Sequence, residues 1–423
     1  MRTILQKREL RYVFVANVVS MLGSGMNSAA VTWFILQTTH SEMALGTLVV
    51  LQTLPAMLML PFTGVIIDRE DRRYLVMGLD GARALIIITV AVLAFLGRVH
   101  VWQLYLMNML VAAGFWMFWP TITALIQELT PEGEFVQANT FLLAGVQGGW
   151  LIAGAIVGFV YNHIGLGGVL LIDFATYLVS IACYLAMRQG KHVVARPAGP
   201  HDLHATLLSA ETAVVRYRRE MAEGFEYLRG NRYVVFLGIC WALFIGAMLT
   251  QGVVTAPLSD RVLHAGAVGY GWLNAGWGVG AFVSALYASS LIRRLRPRRA
   301  VAISMGLLAG SILLAPFSRF VPLAVALYVL MGSARGVGGI SISSSMMENV
   351  PPHFMGRVQN IFYFAGTALQ VVLGMAVATV AHRLGLSFAF TIIAAIYAIA
   401  FLAAAWPIPA SPTVPSGTGS IAD

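Results

Sequence analysis

Long apolar runs alternate with short basic turns along this chain, and that alternation constrains its fold more than any other feature. Runs of about 20 residues fall near 12–37, 44–67, 74–97, 101–127, 138–161 and 166–187. Six more fall near 233–257, 268–292, 300–317, 321–346, 357–381 and 386–407. A helix of about 20 residues crosses the roughly 30 Å hydrocarbon core of a bilayer. No water satisfies backbone amides or carbonyls there, so such runs cross as helices. The expected fold class is an all-α membrane protein with twelve transmembrane helices in two sets of six. Composition points the same way: 58% of residues are hydrophobic and 11% charged, where soluble proteins carry about 25% charged residues. The first run follows a short basic segment, Met1–Arg11. It is too long for a signal-peptide core of roughly 7–15 residues and is read as a retained span.

The net charge is +9, but the basic residues sit in short clusters between apolar runs and form no long basic surface, so nucleic acid is not an expected partner. Of the 27 Lys and Arg, 21 fall in alternate connections: before the first run, at Arg69–Arg73, between Arg188 and Arg232, at Arg293–Arg299, and at Arg357. Only Arg98, Arg261, Arg319 and Arg383 lie in the others. The positive-inside rule then places both termini in the cytoplasm, in an inner-membrane protein. Cys183 and Cys240 each lie inside an apolar run and read as packing residues. Lys7 and Lys191 are the only lysines, and no Gly-x4-Gly-Lys-Ser/Thr phosphate loop exists. ATP hydrolysis by this chain is excluded on that ground, and no cofactor or metal site is expected.

The two sets of six repeat one another. Ala124–Phe141 reads ALIQELTPEGEFVQANTF, and Ser345–Phe364 reads SMMENVPPHFMGRVQNIFYF. Both put an acid, a proline turn and a Val-Gln…Asn helix start between spans four and five of their half. A basic turn also follows the second span of each half: GVIIDREDRR at Gly64–Arg73 and LIRRLRPRR at Leu291–Arg299. Parallel repeats about an axis along the membrane normal mark two-bundle secondary transporters.

These motifs resemble the major facilitator superfamily. GVIIDREDRR resembles its signature loop between helices two and three, with Gly64, Asp68, Arg69, Arg72 and Arg73 matching. Asp80-Gly-Ala-Arg83, ALIQELTP…VQAN, EGFEYLRGNRYV and VPPHFMGRVQN resemble the branch that contains macrolide-efflux proteins and the enterobactin exporter. The likeness runs over about residues 8–407. It implies two rocking bundles, with helices one, four, seven and ten around a central cavity. It also implies a conformational latch of Gly64, Asp68, Arg69, Arg72, Arg73 and Arg357 that braces the loop against helix eleven. One departure stands out: helix one of that branch often carries Gly-Asp, whereas Gly23 here is followed by Ser24.

Charges within spans are the sharpest pointers, because each costs at least about 2.5 kcal/mol and needs a partner or water. Asp80 and Arg83, at i,i+3 on one helix face, are expected to form a local pair facing the Arg-rich loop, with a part in coupling as the alternative. Asp173 sits well inside span six with no base nearby in sequence. It is read as a proton-coupling group or as a carboxylate hydrogen-bonded between helices. Arg335, midway along span ten in GSARGVGG, is read as holding an anionic substrate group or pairing across helices. Ser24 and Asn27 on span one, Trp116 and Trp119 on span four, and Trp241 and Gln251 on span seven are the uncharged cavity candidates.

The expected domains are a bundle at 1–188, a cytoplasmic linker with an amphipathic helix at 189–230, a bundle at 231–408, and a disordered cytoplasmic tail at 409–423. The expected function is export of a lipophilic or amphipathic small molecule by alternating access, as a monomer in the lipid bilayer and driven by proton antiport. A dedicated siderophore or metabolite exporter and a lipid flippase are the alternatives within transport. A non-transporting membrane sensor is the alternative outside it. No enzymatic constellation lies inside the spans.

Overall fold

A computed structural model of the chain describes residues 8–130, 135–187, 203–295 and 297–405. Every element named below is helical, as the absence of backbone partners in lipid requires. Span one is Arg8–Thr39, span two Glu42–Arg69, span three Arg72–Phe95 and span four Val101–Leu129. Spans five and six form one stretch, Phe135–Ala186, that turns at Gly165. Gly165 has φ 64, a left-handed conformation that costs glycine nothing and a residue with a Cβ a good deal. Span seven comes in pieces: Arg232–Gly246, Thr250–Pro257 and a π turn at Leu258–Val262. Spans eight to twelve are Gly266–Leu295, Pro297–Leu314, Val321–Asn349, Pro352–Leu384 and Leu386–Ala405.

Local sequence sets the boundaries. Asp71 caps span three, accepting hydrogen bonds from the backbone N–H groups of Arg73 and Tyr74, and only Glu70 and Asp71 lie between spans two and three. His100 and Gln103 form a capping box at the start of span four. Pro352 opens span eleven at a position where its missing N–H costs nothing.

The two sets of six pack alike. Span one lies against span five, three against six, two against four, and three against four. In the second half seven lies against eleven, nine against twelve, eight against ten, and nine against ten. The halves are therefore related by a parallel repeat and meet along two equivalent seams, span two on span eleven and span eight on span five. Glycines set the approach. A Cβ on Gly158 would lie 2.4 Å from the Ala267 carbonyl oxygen, and one on Gly46 would lie 2.9 Å from that of Gly374.

These contacts fall on one side. Gly46 is near the start of span two and Gly374 near the end of span eleven. Gly158 is near the end of span five and Ala267 at the start of span eight. All four ends lie away from the turns that hold Arg72, Arg73, Arg293 and Arg294. We call the side with those arginines the basic face and the other the far face. At the far face Trp33 stacks on Tyr270 at 5.9 Å, and the Thr379 hydroxyl donates to the Met43 sulfur at 3.3 Å, both across the halves. On the basic face the helix Leu203–Gly230 touches both span two and span eleven. Residues 189–202 of the expected linker, and the expected tail, lie outside the described residues.

Candidate functional site

The first half holds a sealed polar cluster built by spans one, three, four and six. Asp80 and Arg83, one turn apart on span three, form an ion pair, and they are 0% and 1% exposed. The pair does not face the Arg-rich loop, as the sequence suggested. It points between spans four and six, where Gly114 leaves room for the Arg83 stem: a Cβ there would lie 3.1 Å from it. The guanidinium lies over the rings of Phe118 at 4.5 Å and Tyr177 at 4.8 Å. The Ser180 hydroxyl donates to Asp80 at 2.7 Å. Each contact offsets part of the desolvation of two charges.

Asp173 belongs to this cluster. Its residue is 0% exposed, and its carboxylate accepts from the Asn27 amide at 2.7 Å and the Thr176 hydroxyl at 3.4 Å. Asp173 has no base nearby in sequence, but the fold brings Arg83 into the same cluster, over the ring of Tyr177 one turn along span six. Two acids and one base therefore lie together, with Arg83 ion-paired to Asp80. Asp173 also lies against span one. A Cβ on Gly23 would come 2.5 Å from its Oδ1 and 2.1 Å from the Thr176 hydroxyl. Ser24 shares a 3.0 Å hydrogen bond with the Tyr177 hydroxyl. The acid that span one lacks after Gly23 thus arrives beside that glycine from span six.

The second half holds Arg335, which is half-buried. Its guanidinium lies over Phe244 of span seven at 4.6 Å and Trp277 of span eight at 5.9 Å, with the Tyr397 hydroxyl of span twelve as polar neighbour. No carboxylate pairs with it among the described residues. Trp241 extends this aromatic row, stacked on Phe244 at 5.9 Å. Gln251 donates to the Met331 sulfur at 3.3 Å, just past the interruption of span seven at Ala247–Leu249. Interrupted helices at mid-membrane are where such folds bind solutes. The sequence reading missed this break, and Gly246 followed closely by Thr250 and Pro257 was its signal.

The remaining candidates scatter. Trp116 donates to the Gln52 carbonyl at 3.5 Å and meets Tyr363 edge-on at 5.7 Å, across the halves. Trp119 packs in the core around Phe118. Arg72 donates to the Ala124 carbonyl at 3.1 Å and pairs with Glu128 at 3.4 Å. Arg73 donates to the carbonyls of Tyr184 at 2.7 Å and Leu185 at 3.1 Å. These two arginines tie spans three, four and six of their own half, so the expected brace against helix eleven is absent for them in this conformation, in which the halves meet at the far face. Arg357 pairs with Glu223 of the helix Leu203–Gly230 at 3.1 Å. The side chains of Gly64, Asp68 and Arg69 lie outside the described ones.

Another missed group closes the far face. Glu42, 1% exposed, opens span two and pairs with Arg261, in the π turn that ends span seven, and with His382 of span eleven at 3.6 Å. Arg261 also donates to the His40 carbonyl at 2.9 Å. These are the ion pairs that cross between the halves among the described residues. A lone acid at the end of an apolar run gave no hint of partners more than 200 residues away.

The sequence profile described as Major Facilitator Superfamily matches residues 13–367, with an overlapping match at 253–423. An uncharacterized MFS-type transporter of Bacillus subtilis, YkuC, is 22% identical over 371 residues, covering 85% of this chain and 82% of that protein. Macrolide efflux protein A of Streptococcus pyogenes is 20% identical over 381 residues, covering 89% and 90%. Among solved structures, a POT family transporter in complex with a thioalcohol-conjugated peptide superposes with a TM-score of 0.72 at 13% identity, covering 93% of this chain and 95% of that one. The nucleoside transporter NupG superposes at 0.70 and 14% identity, covering 94% and 98%. At such identities the two structures are alike in fold.

Proposed function

Since this chain belongs to the major facilitator superfamily, we propose that it is a proton-coupled exporter of amphipathic small molecules, with Asp173 as the group that carries the coupling proton. One observation carries the reading: a fully buried carboxylate, held by Asn27 of span one, lies in one sealed cluster with the Asp80–Arg83 ion pair. With both acids ionised the trio bears one net negative charge, and with one proton bound it is neutral. A charge that cannot be hydrated at membrane depth must be matched by an ion or a partner. Binding and loss of a proton at Asp173 therefore changes the electrostatic cost of the cluster directly. Asn27 and Ser24 transmit that change to span one, which borders the cleft between the halves in the resembled fold.

With the basic face in the cytoplasm of an inner-membrane protein, the conformation described here is closed to the outside. The seams at Gly46 and Gly158 and the Glu42–Arg261–His382 cluster then form the outer closure. Export requires these contacts to break and the basic face to close, which is rocking of two bundles about a central site. Macrolide efflux as the activity of one relative supports an amphipathic cargo, and Trp241, Phe244 and Trp277 offer the aromatic surface to receive one.

The test is uptake of two radiolabelled amphipaths of opposite charge, benzylpenicillin and erythromycin, into inverted membrane vesicles, with and without an imposed pH gradient. Uptake that follows the gradient in the wild type and loses that dependence in Asp173→Asn is the expected result. Uptake with the same gradient dependence in both proteins rejects Asp173 as the coupling group.

A further inference from the structure

Arg335 has no acid at its depth within its own half. From Arg232 to the last residue, Asp423, the sequence contains only Asp260 and Glu348 before that residue, and Asp260 lies in the π turn at the far-face end of span seven. Glu348 is thirteen residues further along span ten, roughly 20 Å away at 1.5 Å per residue. The sealed acids of the first half are committed to Arg83, Asn27 and Ser180. Ring faces at 4.6 Å and 5.9 Å lower the cost of the Arg335 charge but leave the charge in place. Gly332 and Gly336 bring span ten tightly onto span eight, where a Cβ would clash with the Trp277 carbonyl and the Ser284 hydroxyl, and so set Arg335 beside Trp277. Arg335 is also partly accessible, where Arg83 is 1% exposed.

We infer that Arg335 is a subsite for an anionic group of the transported molecule, a carboxylate or a comparable planar oxyanion attached to an aromatic or apolar body. A guanidinium presents a fork of N–H donors that matches a carboxylate in two parallel bonds. Trp241, Phe244 and Trp277 line one side of it and supply a surface for the body of the same molecule. The interruption of span seven at Ala247–Leu249 comes within one turn of Phe244, so that surface sits at a break in the helix. The inference deepens the transport reading above and rests on it, since it names the charge class of the cargo.

Fluorescein and rhodamine 123 share a xanthene ring system and carry opposite charge, so they separate the charge term from the ring term. Binding of each to the purified full-length protein is followed by fluorescence anisotropy at fixed pH and ionic strength. The wild type is expected to prefer fluorescein. Arg335→Gln is expected to weaken fluorescein about tenfold or more, the usual loss for one charge-assisted bond, and to leave rhodamine 123 within about twofold. Arg335→Lys keeps the charge without the fork and is expected to fall between. A thermal melt of each variant identifies misfolding, and if Arg335→Gln does not fold, Arg335→Lys decides by the same ratio of the two dyes. The inference is overturned if the wild type does not bind fluorescein in preference, or if the substitutions weaken both dyes equally. Neither result touches the Asp173 test, which reads dependence on a pH gradient.

Discussion

Each half of this protein carries an arginine beneath aromatic rings, yet only the first half gives it carboxylates. Arg83 is paired with Asp80, shares its sealed cluster with Asp173 and lies against Phe118 and Tyr177. Arg335 rests on Phe244 and Trp277, stays partly accessible and has no acid at its depth. The backbone frame repeats, down to which helix packs on which, while the charge does not. A repeated scaffold fixes where helices cross, and single polar substitutions on it decide what each half does. On the proposed reading the first half stores a proton, and the second presents a positive charge that a cargo must match.

The largest expected effect is on stability. Arg83→Met leaves Asp80 buried with its main partner gone, and breaking a buried pair costs about 3–5 kcal/mol. Arg335→Met orphans no acid, so its loss should be below about 1 kcal/mol. Thermal unfolding in detergent measures both. Equal losses would break the comparison between the halves.

Next is coupling. One proton moved down one pH unit supplies about 1.4 kcal/mol, a tenfold concentration ratio. Gradient-driven accumulation in proteoliposomes should approach about tenfold per unit in the wild type and fall to equality across the membrane in Asp173→Asn. Asp173→Glu, which retains a titratable group, should recover part of it.

The seam between the halves gives two smaller effects. Gly158→Leu places side-chain atoms where the Ala267 carbonyl already lies 2.4 Å from a bare Cβ. The far face should then fail to close, read as longer distances between spin labels on spans five and eight. Glu42→Gln removes a cross-half ion pair whose Arg261 partner is 44% exposed. Screening limits that pair to about 1 kcal/mol, roughly a fivefold shift toward the open far face in the same distance measurement.

Much of the fold was legible in the sequence because lipid enforces it. A run of about 20 apolar residues leaves the backbone no choice but a helix, so the twelve spans came from length alone. The Gly64–Arg73 loop and the paired Ala124–Phe141 and Ser345–Phe364 segments carried the repeat. The site was less legible, because long-range contacts leave no periodic trace. Asp173 looked isolated since Arg83 is 90 positions away, and Gly23 stood out only for the acid missing after it until Asp173 met it from span six. Asp80 and Arg83 pair as their i,i+3 spacing suggests, but the small Gly114 that admits them sits on another helix. Glu42 was passed over because its partners close a face that exists only when two bundles meet.

The central claim is that the first half holds the coupling proton at Asp173, and the most direct test isolates that half from the cargo. Purified wild-type protein and Asp173→Asn, each in weakly buffered detergent solution, are jumped in pH through the neutral range while proton uptake is followed with an indicator dye. The account predicts one proton fewer taken up per molecule of Asp173→Asn, with both proteins folded by thermal melt. Identical uptake by the two proteins would contradict it and leave the buried cluster a structural device.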